Sequence, residues 1–262
     1  MAGSEPFGFV SWVKTVDSRH PRREAFESPA GGYYVRSYLL IRIVVGALGI
    51  ALPVMLLVGN YWVSSGAAPV LGSLSAYYHS GVRDVWVGVL LVWAFFLVTY
   101  MWFHKDWDNR ISTLAGILCL FVAILPTGGG GNITPLQEKL GVDLVKGLHF
   151  AVSAAFVILL AVISYQYGRR EGMRAPRPSH RSPQFWRWFH WSMAGLIVLA
   201  VVGIAFAKGL QAAGIVPEGE RDKTLLIGEW LAVWAFGASW LFKGLERDVL
   251  RKKRDDPALT RL

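Results

Sequence analysis

Residues 142–165 read VDLVKGLHFAVSAAFVILLAVISY, and the only charged side chains in this stretch, Asp143 and Lys146, lie near its start. The hydrocarbon core of a bilayer is about 30 Å thick, which roughly 20 consecutive apolar residues cross as an α-helix. The run is too long and too continuous for the alternating strands of a membrane barrel, and a helix satisfies its backbone hydrogen bonds internally. The stretch therefore predicts a membrane-spanning helix.

The rest of the chain repeats this pattern. Of its 262 residues, 53% are hydrophobic and 17% are charged, whereas an average soluble domain has about 25% charged residues. The sequence predicts an all-α bundle of six transmembrane helices over residues 36–245, between an N-terminal arm (1–35) and a charged tail (246–262). The predicted spans are 38–58, 84–103, 111–126, 142–165, 185–207 and 224–242. Glycines that would let helices approach closely are Gly46, Gly49, Gly116, Gly195 and Gly203.

Basic residues are concentrated in alternate connections. The arm, the connections after the second and fourth spans, and the tail are rich in Lys and Arg, whereas the other connections carry little net positive charge. The positive-inside rule then predicts that both termini are cytoplasmic. Because most of the net charge of +9 flanks the spans, we expect the lipid bilayer as the partner, with anionic lipids as candidates at the basic loops, and no nucleic acid. The outer connection 127–141 is glycine-rich and predicts a flexible loop.

Several polar or ionisable residues lie near the outer ends of the second, fourth and sixth spans. Such groups are costly in hydrocarbon, so each one is a candidate functional residue. Ser75 and His79 are four residues apart, and both would lie on one face if an α-helix begins before Ser75. The complete set is Ser75, His79, Asp84, Lys146, His149 and Glu229.

One hypothesis is a zinc-dependent hydrolase that acts on a lipid-like ester or amide at the outer leaflet. Two imidazoles and a carboxylate, with a fourth position left open, form the ligand set of a catalytic zinc ion. Here these ligands would be His79, His149 and Asp84, with Glu229 as an alternative carboxylate. The ion would lower the pKa of its bound water to about 7 and so supply a hydroxide nucleophile.

The remaining outer residues would either take part in that reaction or form a site without a metal. Glu229 would act as the general base, and Ser75 or Lys146 would stabilise the oxyanion. Without a metal, Arg83 and Lys146 would instead neutralise Asp84 and Glu229 in a salt-bridge network. Such a network would hold the bundle together or bind an ion or an anionic headgroup. The chain would then be a non-enzymatic, transport-linked or structural protein.

Two further hypotheses use other residues. His104 and His190, at the cytoplasmic ends of the second and fifth spans, would pair with His79 and His149 in a bis-histidine haem cytochrome. Both also have the surroundings of interfacial residues. A transporter would usually contain a broken helix near the membrane midplane, for which Pro53 in the first span is the candidate.

Residues 74–88 (LSAYYHSGVRDVWVG) and 229–237 (EWLAVWAFG) resemble a group of uncharacterised bacterial multi-pass membrane proteins. The resemblance covers residues 38–244 and implies a bacterial origin and a single domain in the plasma membrane, but no activity. Ser75-x3-His79 is also similar to the Ser-x3-His element of the CREST superfamily of membrane hydrolases, which includes alkaline ceramidases. This similarity implies metal-dependent hydrolysis with Ser75, His79 and Asp84 in the site. The His-x3-His pair of that superfamily is missing from the sixth span.

Overall fold

The computed structural model describes residues 29–66, 69–100, 107–128, 133–172, 182–217 and 222–245. Within these ranges the chain forms seven α-helices and a short 3₁₀ helix, Ser75–His79, and no strand. The α-helices are α1 (Pro29–Val63), α2 (Arg83–Thr99), α3 (Trp107–Ile124), α4 (Pro135–Leu140), α5 (Val142–Gly172), α6 (Pro183–Ala212) and α7 (Thr224–Gly244). The all-α prediction is confirmed for the described part of the chain.

Four helices in the described ranges have the length and composition of a membrane span. They lie in α1, α5, α6 and α7, and their bounds are Leu39–Val63, Val142–Glu171, Pro183–Ala212 and Thr224–Gly244. The third predicted span is a shorter apolar helix, Asn109–Ile124, and the second is the 17-residue helix α2. The chain therefore has the architecture of a helical membrane protein, and the count of six spans stays a prediction.

Helix α1 runs through Pro53 without a break. Proline removes one backbone donor, but membrane helices tolerate it because neighbouring groups and local adjustments satisfy the freed carbonyl. The structure therefore shows no transporter-type break at the candidate position, Pro53. Helices α5 and α6 also extend past the predicted spans, to Gly172 and Ala212, because apolar composition marks only the hydrocarbon part of a helix.

Glycines bring α1 and α7 into backbone contact. A Cβ added to Gly46 would overlap the backbone of Leu241, and one added to Gly49 would lie 3.0 Å from the Cα of Gly237. The close approach predicted at Gly46 and Gly49 is confirmed. Because residue numbers rise along α1 as they fall along α7, the two helices are antiparallel.

The hairpin of α2 and α3 packs beside α1. A Cβ added to Gly116 of α3 would lie 2.7 Å from a backbone carbonyl oxygen of α2, which confirms the close approach predicted there. Ser112 Oγ of α3 donates to Leu97 O of α2 at 2.8 Å. The indole of Trp93 in α2 donates to Val45 O of α1 at 3.2 Å. Consecutive helices α1, α2 and α3 therefore lie side by side in alternating directions.

Helix α6 is the least enclosed of the four span-length helices. Its most apolar window is 17% buried, against 33% to 44% in the other three. Nothing lies within 4 Å of a Cβ added to Gly195 or Gly203. The close approach predicted at these two glycines is therefore wrong within the described residues.

Contacts between helix ends define two ends of this bundle. His149, early in α5, contacts Leu125 just after α3, and Glu229, early in α7, contacts the segment that precedes α2. At the opposite end Lys243 of α7 pairs with Glu171 of α5. We call these the Glu229 end and the Lys243 end.

All of these contacts lie in residues 42–244, which form one compact unit. Residues 1–41 and 245–262 form a second unit, of which the structure describes the beginning of α1 and Leu245. The arm (1–35) and tail (246–262) lie mostly outside the described residues, and their boundaries stay predictions.

Candidate ligand site at the Glu229 end

Glu229 lies in the second turn of α7, and its carboxylate faces the start of the 3₁₀ helix. Oε2 accepts a hydrogen bond from the backbone N–H of Leu74 at 2.5 Å, and Oε1 accepts one from Ser75 Oγ at 3.5 Å. The first N–H groups of a helix have no partner within it, so the carboxylate caps the 3₁₀ helix from a neighbouring helix. The predicted role of general base has no support from this geometry.

The loop that precedes α2 is fixed to α7 by further hydrogen bonds. The N–H of Leu226 in α7 donates to Gly72 O at 2.9 Å. Tyr77 is fully buried, and its hydroxyl accepts from the N–H of Leu71 at 3.3 Å. Burial raises the pKa of the Tyr77 hydroxyl, and the Leu71 hydrogen bond partly offsets this effect. The loop is therefore part of the packed structure.

Ser75 and His79 contact different neighbours. Ser75 is 2% exposed, and its Oγ lies 3.1 Å from Ser73 Oγ. The Nε2–H of His79 donates to Thr127 O at 2.8 Å. A 3₁₀ helix has three residues per turn, so a residue four positions later is rotated by about 120°. The predicted common face is wrong because this segment is a 3₁₀ helix and not an α-helix.

The turn that follows α3, residues 125–128, receives hydrogen bonds from several elements, and we call it the Thr127 turn. The carbonyl oxygen of Thr127 accepts both from His79 and from Gln137 Nε2, the latter at 2.9 Å. Gln137 belongs to α4 and is 3% exposed. The 3₁₀ helix and α4 are therefore joined through one backbone carbonyl.

Helix α5 contacts the same turn from another side. The Nδ1–H of His149 donates to Leu125 O at 2.8 Å, and His149 is 1% exposed. Lys146, one turn earlier, covers Gly128, where an added Cβ would lie 2.6 Å from Lys146 Cδ. The structure thus brings His79, Lys146 and His149 to one turn.

Sequence reasoning missed α4 and its role. Gln137 N–H donates to Thr134 Oγ1 at 3.3 Å, and the N–H of Thr134 donates to Gln137 Oε1 at 3.0 Å, which is a capping box. The sequence signal of a helix start was present, because Thr134 is followed directly by Pro135 and three residues later by Gln137. The predicted flexible loop is wrong for residues 133–141, while 129–132 lie outside the described ranges.

Asp84 and Arg83 begin α2, and both are exposed. Arg83 Nη2 donates to the hydroxyl of Tyr78 at 2.7 Å, and its guanidinium carbon lies 4.4 Å from the centre of that ring. Arg83 therefore contacts Tyr78 in the described structure, not Asp84. A carboxylate in the first turn, as at Asp84, interacts favourably with the helix dipole. This is a sufficient structural role for Asp84.

The zinc hypothesis needs a third ligand beside the two histidines. Each imidazole donates one N–H to a carbonyl of the Thr127 turn, which leaves the other ring nitrogen available, as in many metal-binding histidines. However, no group of three or more His, Cys, Asp or Glu side chains in the described part of the chain could hold a metal ion. The ligand set His79, His149 and Asp84 is not assembled there, and zinc stays a prediction.

Thr127 carries a buried hydroxyl that no other described residue uses. The residue is 4% exposed, and Oγ1 has no hydrogen-bond partner among the described residues. A buried hydroxyl without a partner costs free energy. Thr127 lies within the turn that His79 and Lys146 contact, so its Oγ1 is a donor for a ligand with acceptor oxygens.

A second polar cluster, which the sequence did not predict, lies at the Lys243 end. Lys243 and Glu171 are 5% and 6% exposed and form an ion pair. Arg42 is also buried, and its Nη2 donates to the hydroxyl of Tyr100 at 2.5 Å. Buried charges are costly, and pairing offsets part of that cost. The cluster therefore joins the ends of α1, α2, α5 and α7.

His190 lies near that cluster and is 1% exposed. Its Nδ1 lies 2.8 Å from Ser239 Oγ, and its ring centre lies 5.7 Å from that of Tyr167. His190 is therefore enclosed between helices of the bundle, and its position at the membrane interface stays a prediction. His104 lies outside the described residues, so the bis-histidine haem arrangement stays a prediction.

Comparison of the chain with protein-family models, with curated proteins and with solved structures finds no match. The resemblances to the bacterial membrane family and to the CREST superfamily stay predictions.

Proposed function

We propose that the chain is a non-enzymatic, six-span protein of the cell membrane with both termini in the cytoplasm, and that it binds a phosphate-bearing anionic lipid headgroup at the Thr127 turn. The Glu229 end then faces outward and the Lys243 end faces the cytoplasm. The observation that carries this proposal is the buried Thr127 hydroxyl, which has no partner among the described residues, in the turn that Lys146 covers.

The six-span topology is supported by where α2 begins and ends. Its first residue, Arg83, adjoins the 3₁₀ helix at the Glu229 end. Tyr100, just after its last residue, contacts Arg42, which packs against Gly244 at the Lys243 end. Helix α2 thus extends between the same two ends as α7, which has spanning length. A helix of 17 residues covers about 25 Å, at the lower limit for a span, and α3 returns beside it.

The headgroup site is supported by the chemistry of the groups at the turn. Phosphate oxygens accept hydrogen bonds from hydroxyl, imidazole and ammonium donors, and charged acceptors bind these donors most strongly. Thr127 Oγ1 and the ammonium group of Lys146 are not used by other side chains of the described structure. The nearest carboxylates along the chain, Glu138 and Asp143, are exposed and form no ion pair with Lys146 in the described ranges.

The same geometry gives less support to the hydrolase. Its carboxylates have other positions: Glu229 caps the 3₁₀ helix, and Asp84 is exposed at the start of α2. Two histidines without a clustered carboxylate lack the ligand set of a catalytic zinc site. Binding requires only the donors that the turn already has.

Lipid retention by the full chain tests the proposal. The protein is placed in nanodiscs with equal amounts of phosphatidylglycerol and phosphatidylcholine, and native mass spectrometry counts the lipids that stay bound. Thr127→Val keeps the shape but removes the hydroxyl. A hydrogen bond to a charged group contributes about 1.5–3 kcal/mol, so we expect retention of phosphatidylglycerol to fall about tenfold or more.

Two lysines provide a matched comparison. Lys146→Met should weaken retention of phosphatidylglycerol, whereas Lys139→Met removes an exposed lysine of α4 and should change it by no more than about twofold. Equal retention of the two lipids by the native chain, or equal losses in the two lysine variants, would contradict the site. Competition by inorganic phosphate shows whether phosphate alone is recognised or the whole headgroup is required.

Zinc content separates this function from the hydrolase. Metal analysis of the purified chain should find only trace zinc, unchanged in His79→Ala and His149→Ala. Stoichiometric zinc that both substitutions remove would instead favour the metal-dependent enzyme.

A further inference from the structure

An apolar groove opens on the side of the bundle, midway along α7. It has a volume of 290 Å³ and is lined by α7 from Leu231 to Ala238, by Ile50 of α1, and by Met193 and Leu196 of α6. The floor is therefore α7, and the neighbouring helices form the two walls.

The lining has no polar group to offer a ligand. Its only side-chain N–H belongs to Trp234 and donates to Ile50 O at 2.9 Å. The stretch of α7 from Leu231 to Ala238 is about 10 Å long and lies in the middle of the span Thr224–Gly244. At that depth a membrane protein is surrounded by hydrocarbon chains and not by headgroups. The occupant must therefore be hydrocarbon.

The groove is too small to take the full width of a helix from a second copy, which could place only side chains in it. An α-helix is about 10 Å across, so a 10 Å length of it fills roughly 800 Å³, far more than the groove holds. An apolar cavity of about 150 Å³ accommodates one benzene molecule, so this groove has room for roughly twice that amount of hydrocarbon. We propose that the groove binds one phospholipid acyl chain, which lies along α7 between α1 and α6. This site depends on the membrane placement of α7 and is separate from the Thr127 turn.

Photolabelling in a bilayer tests the site. The full chain is placed in nanodiscs of phosphatidylcholine that carries a diazirine at the middle of one acyl chain, and mass spectrometry maps the labelled residues after illumination. Val198 provides the reference for ordinary lipid contact, because it is 52% exposed and follows Leu196 by two residues on α6. A chain held in a groove resides longer than one on an open surface, so we expect about fivefold more label at Leu231 and Met193 than at Val198.

Two phenylalanine substitutions form a matched pair. Ala238→Phe fills the groove and should lower labelling of Leu231 about fivefold, since the chain is displaced. Val198→Phe adds the same bulk on the open face and should leave the labelling of Leu231 unchanged. Leu231→Trp, read out at Met193, replaces the first variant if Ala238→Phe does not give a monodisperse protein.

Three results would overturn the proposal. Equal labelling of Val198 and the groove shows only bulk lipid, and weaker labelling of the groove shows that protein covers it. Labelling of Leu231 that persists in Ala238→Phe, or of Met193 in Leu231→Trp, shows that the chain lies elsewhere. Thr127→Val should not alter this pattern, so failure of the headgroup site and failure of the groove are distinguishable.

Discussion

Exchanging Glu229 for Gln isolates the capping role of this side chain. Gln keeps the volume and one oxygen but replaces the other acceptor by an N–H donor. The N–H of Leu74, which lies 2.5 Å from Oε2, then has a neutral amide oxygen or no acceptor in place of a carboxylate. Leu74 is 1% exposed, so water cannot replace the carboxylate easily. A hydrogen bond to a charged group contributes about 1.5–3 kcal/mol, and a buried donor without a partner costs about 1–3 kcal/mol. We expect Glu229→Gln to destabilise the 3₁₀ segment by about 2 kcal/mol.

Hydrogen exchange of the detergent-solubilised chain measures this loss locally. A change of about 2 kcal/mol raises the population of the opened segment roughly 30-fold, so amides in residues 74–80 should exchange roughly 30-fold faster. Amides in the middle of α6 should keep their rates. Glu138→Gln changes an exposed carboxylate of α4 at the same end of the bundle and should alter exchange by no more than about twofold.

Two outcomes would refute this account of Glu229. Unchanged exchange over residues 74–80 would mean that the carboxylate does not hold the Leu74 N–H. Equal acceleration in every helix would mean that Glu229 supports the whole bundle, and the local cap would then be the wrong explanation.

Three further substitutions test other contacts. Lys208 lies 2.8 Å from the Asp222 carboxyl and holds the pKa of that carboxyl below its usual range. The stability that this carboxyl contributes is therefore fully present above its unfolded pKa of about 3.9. It is lost as the pH falls through the folded pKa. Thermal unfolding below about pH 4 should therefore decline less steeply in Asp222→Asn than in the native chain, and equal slopes would contradict the pair. Lys243→Met leaves a buried carboxylate without its ammonium group, so the unfolding free energy measured by SDS titration should fall by about 3–5 kcal/mol. Lys243→Arg keeps the charge and should lose less. Equal losses in the two variants would argue against the ion pair. Gly46→Ala forces a Cβ into the backbone of α7 and should lower the free energy of unfolding by about 1–3 kcal/mol or more. In Gly203→Ala the added Cβ has nothing within 4 Å, so the Tm should stay the same or rise. Similar Tm changes in the two variants would contradict the contact of α1 with α7.

The sequence predicted best those features that depend on local composition. The apolar runs located α1, α5, α6 and α7, because a helix in hydrocarbon must be continuously apolar and needs no partner to satisfy its backbone. The pairing of Glu171 with Lys243 depends instead on which helix ends become neighbours, and that order is not encoded locally. Glu171 follows two arginines, and basic residues beside a span are typical of the signal that sets membrane orientation. The tryptophans beside His190 in sequence are typical of an interfacial residue. They do not indicate that its imidazole contacts Ser239 on another helix.

The two histidines at the Glu229 end show why an ionisable residue in an apolar bundle need not be a ligand. Pro126 has no N–H and disfavours helical geometry at Leu125, so α3 ends at Ile124 and the carbonyls after it have no helical partners. Carbonyls that are shielded from water need donors from the protein, and His149 and His79 donate to those of Leu125 and Thr127.

Hydrogen bonding to the backbone accounts for one nitrogen of each of these imidazoles and for all of the side-chain polar atoms of Gln137. Within the described residues, it does not explain why the Thr127 hydroxyl is buried without a partner. Nor does it explain why Lys146 covers Gly128 without an ion-pair partner in those ranges. A group that the backbone uses would be present whether or not a ligand binds, whereas an unused donor has a cost that only a ligand or a water molecule offsets. The ligand hypothesis therefore rests on Thr127 and Lys146, and the two histidines maintain the turn that holds them.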